Sequence, residues 1–258
     1  MSERFFCFTV DDNIRVFKDI TERDYGSIFE HPYLAMYKML HEAFDLKVQL
    51  NLFYRCEGFD LSMMSDVYSN EWAENSDWLK LSFHSELENV RPYEISDYDE
   101  VKRDCDNVHR EILRFAGKSS LARTTTVHYC VTTAQGLCAL KNCGVGGLLG
   151  LFGTSDAPRT SYGLGLDLAE KIREGGIAVS DGISFSGIDI VLNCFSKQEI
   201  LRQLRGLIGR NSIRVMIHEQ YFYPDYFNYQ PDFEQKLIAT FDFLRAEGYE
   251  SAFFENII

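Results

Sequence analysis

Short apolar runs with strand character alternate with amphipathic helical patterns along most of this chain. Residues 5–10, 47–53, 79–83, 124–129, 145–149 and 213–217 read as strands, being short and rich in apolar, β-branched or aromatic side chains. Leu34, Met36, Tyr37, Leu40, His41 and Phe44 follow Pro32 at about helical intervals, and a shorter helical region covers 63–75. Asp97 with Glu100 predicts a capping box. It opens a helix to about 116, with Val101, Cys105, Val108, Ile112 and Phe115 on one stripe and Gly117 as its stop. Thr132 and Thr133 open a helix that Gly144 ends, Ser196 caps one over 199–208, and Gly248 closes one over 232–246. A last strand covers 251–254. The segment 150–191 breaks the alternation. It is rich in Gly, Ser and Asp, with strand-like pieces at 177–179 and 188–192, so a β-rich excursion is expected there.

Strands alternating with helices of this length predict an α/β fold: a parallel sheet under helical cover. Right-handed crossovers bring every strand's C-terminal end to one face. The 258 residues suit one (β/α) barrel or two smaller domains, but no linker, repeat or low-complexity segment divides them, so a single domain over 1–258 is expected.

The strand ends carry the candidate chemistry. The run Phe5-Phe6-Cys7-Phe8-Thr9-Val10 delivers Asp11 and Asp12, while His84, His128 and His218 each end another strand. Carboxylates and imidazoles gathered on one rim suit a divalent metal or acid–base catalysis. Asp11-Asp12-Asn13 also has the composition of a simple turn. His84 and Glu88 would share a face if that segment turned helically, and alone the pair equally fits a strand-end histidine beside solvated acids. His128 read alone suits a satisfied core histidine. His218 ends a buried strand, a good placement for a group that titrates near neutrality, and the aromatic run after it fits either packing or a sugar-sized pocket. His31, His41 and His109 fall in or beside helices and are expected on the surface.

Composition narrows the classes. A formal net charge of −13 argues against binding nucleic acid or anionic membrane. The hydrophobic fraction of 45% allows a large core. The seven cysteines are odd in number and form no C-x-x-C pair, which points to free, mostly buried thiols in a reducing compartment. No secretory leader or membrane-length apolar run is legible, and a cytoplasmic protein is expected. The glycines at 144–153 do not form a dinucleotide fingerprint, and no P-loop, G-x-S-x-G or H-E-x-x-H motif occurs.

Taken in order, these segments resemble the polysaccharide deacetylase (NodB-homology) family. Thr9-Val10-Asp11-Asp12-Asn13 is similar to its T-F-D-D-G motif. His84-Ser85-Glu86-Leu87-Glu88 is similar to its H-[ST]-x-x-H motif, with Glu88 in place of the second histidine. His128-Tyr129 occupies the location of an R-x-P motif without its Arg and Pro, and Ile217-His218 looks like the closing L-H motif. The resemblance implies a distorted (β/α) barrel of seven or eight strands, here with a β-rich insertion. It implies Asp11 as catalytic base, His218 as acid, and a metal on Asp12 and His84 completed by Glu88 or His128. The implied ion is divalent, Zn²⁺ first, with Co²⁺, Ni²⁺ or Mn²⁺ as alternatives. The implied activity is removal of an N-acyl group from a small-molecule or oligosaccharide substrate. A glycoside hydrolase, or an inactive carbohydrate-binding protein on the same fold, are the alternatives.

Overall fold

The computed structural model describes residues 4–23, 25–88, 93–153 and 160–258. In chain order the strands are β1 (Phe5–Asn13), β2 (Val48–Phe53), β3 (Arg55–Cys56), β4 (Phe59–Asp60), β5 (Leu79–Ser85) and β6 (Thr124–Thr125). They continue with β7 (Gly147–Gly150), β8 (Ala178–Ser180), β9 (Ile183–Gly187), β10 (Ile190–Val191), β11 (Ser212–His218) and β12 (Glu250–Ser251). The helices are α1 (Arg15–Glu22), α2 (Pro32–Phe44), α3 (Ser69–Glu74), α4 (Tyr98–Phe115), α5 (Ala134–Asn142), α6 (Leu166–Arg173), α7 (Lys197–Leu207) and α8 (Phe233–Ala246).

One sheet has the order β10-β11-β1-β2-β5, every pair parallel. A second has the order β6-β7-β9-β8, parallel except for the β8–β9 hairpin. Two joints close them into a ring. A bridge between Leu81 and Leu121, with Ala122 N–H donating to the Leu81 carbonyl at 2.9 Å, ties β5 to the approach of β6. On the other side, Ile188 N–H donates to Gly150 and Asp189 N–H to Arg214, so the chain passes from β9 on β7 into β10 on β11. The result is a distorted (β/α) barrel in which β9 and β10 act as one strand. The ring then runs through seven positions, within the range the family resemblance implies.

The pattern of β1 shows how the sequence builds it. Phe6, Phe8 and Val10 face the helices, where Phe6 and Phe8 meet Phe241 of α8 at ring separations of 5.6 and 4.9 Å. Cys7, Thr9 and Asp11 alternate with them and face the interior, as a period of two requires. Both faces are covered, so β1 reads as an almost continuous buried strand. The capping box at Asp97 forms as predicted, and Ser196, expected as a cap, also forms a capping box with Glu199, each with both reciprocal bonds.

Several expectations need correction. The strand expected over 124–129 stops at Thr125, where its pairing with β7 ends, and Tyr129 and Cys130 take left-handed φ values of 59° and 57° in the turn that follows. The excursion expected to be β-rich also contains α6, and its residues 154–159 lie outside the described residues. The helical region at 63–75 resolves into the turn Leu61–Met63 and α3. Helix α1 has no counterpart in the sequence reading. His31 and His109 are buried rather than on the surface: His31 caps α2 by accepting from Tyr33 N–H, and burial pushes His109 down to about 4. Among the described residues no helix is long and apolar enough to cross a membrane.

Candidate metal and acid–base site

The C-terminal ends of β1, β5 and β11, with the turn after β6, meet at one cavity of about 400 Å³. A regular strand would send Asp11 and Asp12 to opposite faces. Instead β1 carries one extra residue against β2, since Val10 pairs with Leu50 but Asn13 with Leu52. Asp12 sits in this bulge at φ 65°, a conformation uncommon for residues other than glycine. Both carboxylates therefore line the same cavity. The Asn13 side chain fixes the bulge. Its Nδ2 donates to the Val10 and Asn51 carbonyls at 2.6 and 3.1 Å, and its Oδ1 accepts from the Tyr33 hydroxyl at 2.9 Å.

Asp12, His84 and His128 converge. His84 Nε2 lies 3.0 Å from Asp12 Oδ1 and 3.1 Å from His128 Nδ1, and His128 Nδ1 lies 3.3 Å from the same Asp12 oxygen. All three are buried. The Thr126 carbonyl can only accept, so His84 Nδ1 carries the proton there and Nε2 is the nitrogen turned to the cluster, a donor to Asp12 when the ring is protonated and a ligand when it is neutral. The second Asp12 oxygen accepts from Gln220 Nε2 at 2.7 Å, which leaves Oδ1 for the two imidazoles. Two donors held about 2.0–2.1 Å from a tetrahedral ion lie roughly 3.3–3.4 Å apart. The three observed separations of 3.0, 3.1 and 3.3 Å lie at or slightly inside that spacing, and one carboxylate with two imidazoles is a donor set that suits a divalent transition metal.

Electrostatics divides the two acids. Burial opposes the Asp12 charge, but hydrogen bonds from His128 and His84 outweigh it and hold Asp12 well below the usual carboxylate range. Burial pushes Asp11 above its ordinary value, against the pull of His84, His218 and Asn51. Burial also disfavours the His84 cation, yet Asp11 and Asp12 carry that imidazole above its ordinary value. Burial lowers His128, and Asp12 offsets this only in part.

Asp11 faces His218 directly in the β1–β11 register. Its Oδ1 accepts from Asn51 Nδ2 at 2.6 Å, and Asn51 in turn accepts from Gln49, which also bonds Thr124 across the interior. His218 Nδ1 bonds Asn193 Oδ1 at 2.9 Å, so Nδ1 carries a proton and Nε2 is the nitrogen left to exchange one in the cavity that His218 lines. Glu88 lies apart from the three-residue cluster. It is exposed on the rim of the cavity and of an adjoining groove of about 770 Å³, which Arg15, Arg55, Gln220 and Tyr226 also line.

Asn51, Asn193 and Gln220 escaped the sequence reading. Gln49 and Asn51 had a signal, because they alternate with Leu50 and Leu52 and so put two amides on the inner face of a buried strand. Asn193 and Gln220 lie in turns and had none.

No family model and no curated protein matches the sequence. The fold is that of the polysaccharide deacetylases, the NodB-like barrel. A putative polysaccharide deacetylase from Mycobacterium smegmatis superposes with a TM-score of 0.58 at 12% identity, over 100% of this chain and 90% of that one. A family 4 acetyl xylan esterase from Clostridium thermocellum, solved with a cobalt ion, gives 0.50 at 10% identity over 98% and 90%. A 4-alpha-glucanotransferase from Thermococcus litoralis gives 0.61 at 14% identity, over 99% of this chain but 40% of that larger one.

Proposed function

We propose that this protein is a metal-dependent hydrolase that removes an acyl group, in first place an N-acyl group, from a sugar substrate. The observation that carries the proposal is the buried convergence of Asp12, His84 and His128 beside the facing pair Asp11 and His218. A divalent ion on Asp12, His84 and His128, with Zn²⁺ first and Co²⁺, Ni²⁺ or Mn²⁺ as alternatives, would supply Lewis-acid polarisation and an acidified water. Of the two candidates for completing the set, the spacing supports His128 and not Glu88.

The chain's own residues supply the rest. Asp11, oriented by Asn51, takes the proton from the attacking water, and burial that raises its pKa improves it as a base near neutrality. His218, oriented by Asn193, gives a proton through Nε2 to the leaving amine. Gln220 and His84 hold the two oxygens of Asp12 in place. Tyr221 and Tyr226 line the cavity and Phe227 is 83% exposed beside them, which provides flat apolar faces for pyranose rings. A chito-oligosaccharide and an acetylated xylo-oligosaccharide are the substrates to try. Release of acetate that chelator abolishes and added Zn²⁺ or Co²⁺ restores is expected. Release unchanged by chelator contradicts the proposal.

A glycoside hydrolase is the second reading, favoured by the likeness of fold to the glucanotransferase. It needs a second carboxylate across the cavity from Asp11 or Asp12. Glu219 cannot serve, since it is fully buried and bound to backbone N–H groups, and Glu88 is the remaining acid on the cavity wall. Cleavage of an oligosaccharide in the presence of chelator, lost in Glu88→Gln, would select it.

A further inference from the structure

Glu219 follows His218 at the end of β11 and is 0% exposed. Its carboxylate does not enter the cavity. Oε2 accepts from the backbone N–H groups of Ile14 and Arg15 at 2.7 and 2.9 Å, and Oε1 from that of Val16 at 2.8 Å. The Tyr223 hydroxyl lies 3.4 Å from Oε1. These are the free donors at the start of α1, whose own N-cap residue Ile14 has no side-chain bond to offer. A side chain some two hundred positions away in sequence thus does the work that a local Ser or Asp does elsewhere in the chain.

The place of this cap matters more than its strength. Ile14 begins two residues after Asp12, the residue held at φ 65° in the β1 bulge. Asp tolerates this region better than most residues with a side chain, but it still costs free energy, and at Asp12 surrounding contacts hold it. Asn13 pins the bulge from inside through Val10, Asn51 and Tyr33. Glu219 pins the backbone immediately after it with three charge-assisted bonds. The neighbours of Glu219 act on the same stretch: His218 is the register partner of Asp11, and Gln220 bonds Asp12. The three consecutive residues at 218–220 therefore grip residues 11–16 at three successive points.

We propose that Glu219 is a positioning residue, which fixes the turn carrying Asp12 and so sets the geometry of the Asp12, His84 and His128 cluster. This rests on the reading of that cluster as a divalent-ion site. A merely structural cap would lower stability and leave the ion's affinity and coordination alone. The test is a titration with Co²⁺ of wild type, Glu219→Gln and Ser196→Ala at about pH 8, where the Glu219 carboxyl is ionised. Affinity and the visible d–d spectrum are read, with folding checked by circular dichroism. Ser196→Ala removes the cap of α7, a helix with no residue in the cavity wall, and serves as the control for destabilisation alone.

Glu219→Gln keeps the side chain's shape but loses its charge and one acceptor. It is expected to weaken Co²⁺ binding by about 10-fold or more and to alter the spectrum. Ser196→Ala is expected to change neither. A folded Glu219→Gln with wild-type affinity and spectrum overturns the proposal. Should that variant not fold, Glu219→Asp, which keeps the charge and withdraws the carboxylate, carries the same two outcomes. Failure of wild type itself to bind Co²⁺ removes the metal reading and this proposal with it, whereas binding by wild type with no effect of Glu219→Gln removes this proposal alone.

Discussion

Two adjacent carboxylates acquire opposite characters within a few ångströms. Asp12 faces two imidazoles and stays ionised, while Asp11 faces an amide and is pushed toward protonation by burial. That division predicts separable losses. Asp11→Asn is expected to retain the bound ion and to lose about 10²–10⁴-fold in turnover of an N-acetylated oligosaccharide. A variant with full turnover would remove Asp11 from the mechanism. The choice between Glu88 and His128 is equally direct. His128→Ala is expected to lose divalent-ion affinity by at least about 10-fold and Glu88→Ala to keep it, measured by competition with a metallochromic dye. The reverse order would mean that Glu88 moves in to ligate.

At the scale of elements, the site depends on a bulge and a turn that carry little local signature. Helix α8 illustrates the legible part. Its spacing and its closing Gly248 predict its limits, and the structure puts Phe241 against Phe6 and Phe8 on the back of β1. Phe241→Ala is expected to cost about 3–5 kcal/mol in urea denaturation, through lost burial and the cavity left behind. A loss well under that would mean that the ring is not part of the core. Helix α1 illustrates the illegible part, because its cap comes from Glu219 and no nearby residue announces it. Burial pushes Glu219 from an ordinary 4.5 up to about 7, against the pull of three backbone donors. The folded chain therefore holds this proton more tightly than the unfolded chain. The group's contribution to stability is full below the ordinary value and fades as pH rises through about 7. Wild type is expected to lose stability relative to Glu219→Gln across that window, and a difference independent of pH would contradict the assignment.

For the whole molecule, the alternation of strands and helices was enough to predict a parallel sheet under helical cover, because that pattern reports which faces are buried, while closure into a barrel came from the family resemblance. It also placed Asp11, Asp12, His84, His128 and His218 at strand ends, where topology alone brings them to one rim. What it could not specify was how the last residues of each strand turn. The strand expected to reach position 129 stops at Thr125, and the left-handed residues of the turn that follows, Tyr129 and Cys130, are not types that advertise it. That early stop brings His128, in the turn itself, beside His84. Nor could local sequence reveal that β9 and β10 are one segment shared by two sheets, since closure depends on the non-local partners Gly150 and Arg214.

The central claim is that Asp12, His84 and His128 form a divalent-ion site, and the metal content of the purified protein tests it most directly. Elemental analysis after incubation with Zn²⁺ and removal of excess is expected to find about one ion per chain in wild type and none retained in Asp12→Ala or His84→Ala. Wild-type protein that is folded and holds no ion, or variants that hold as much as wild type, would contradict the account.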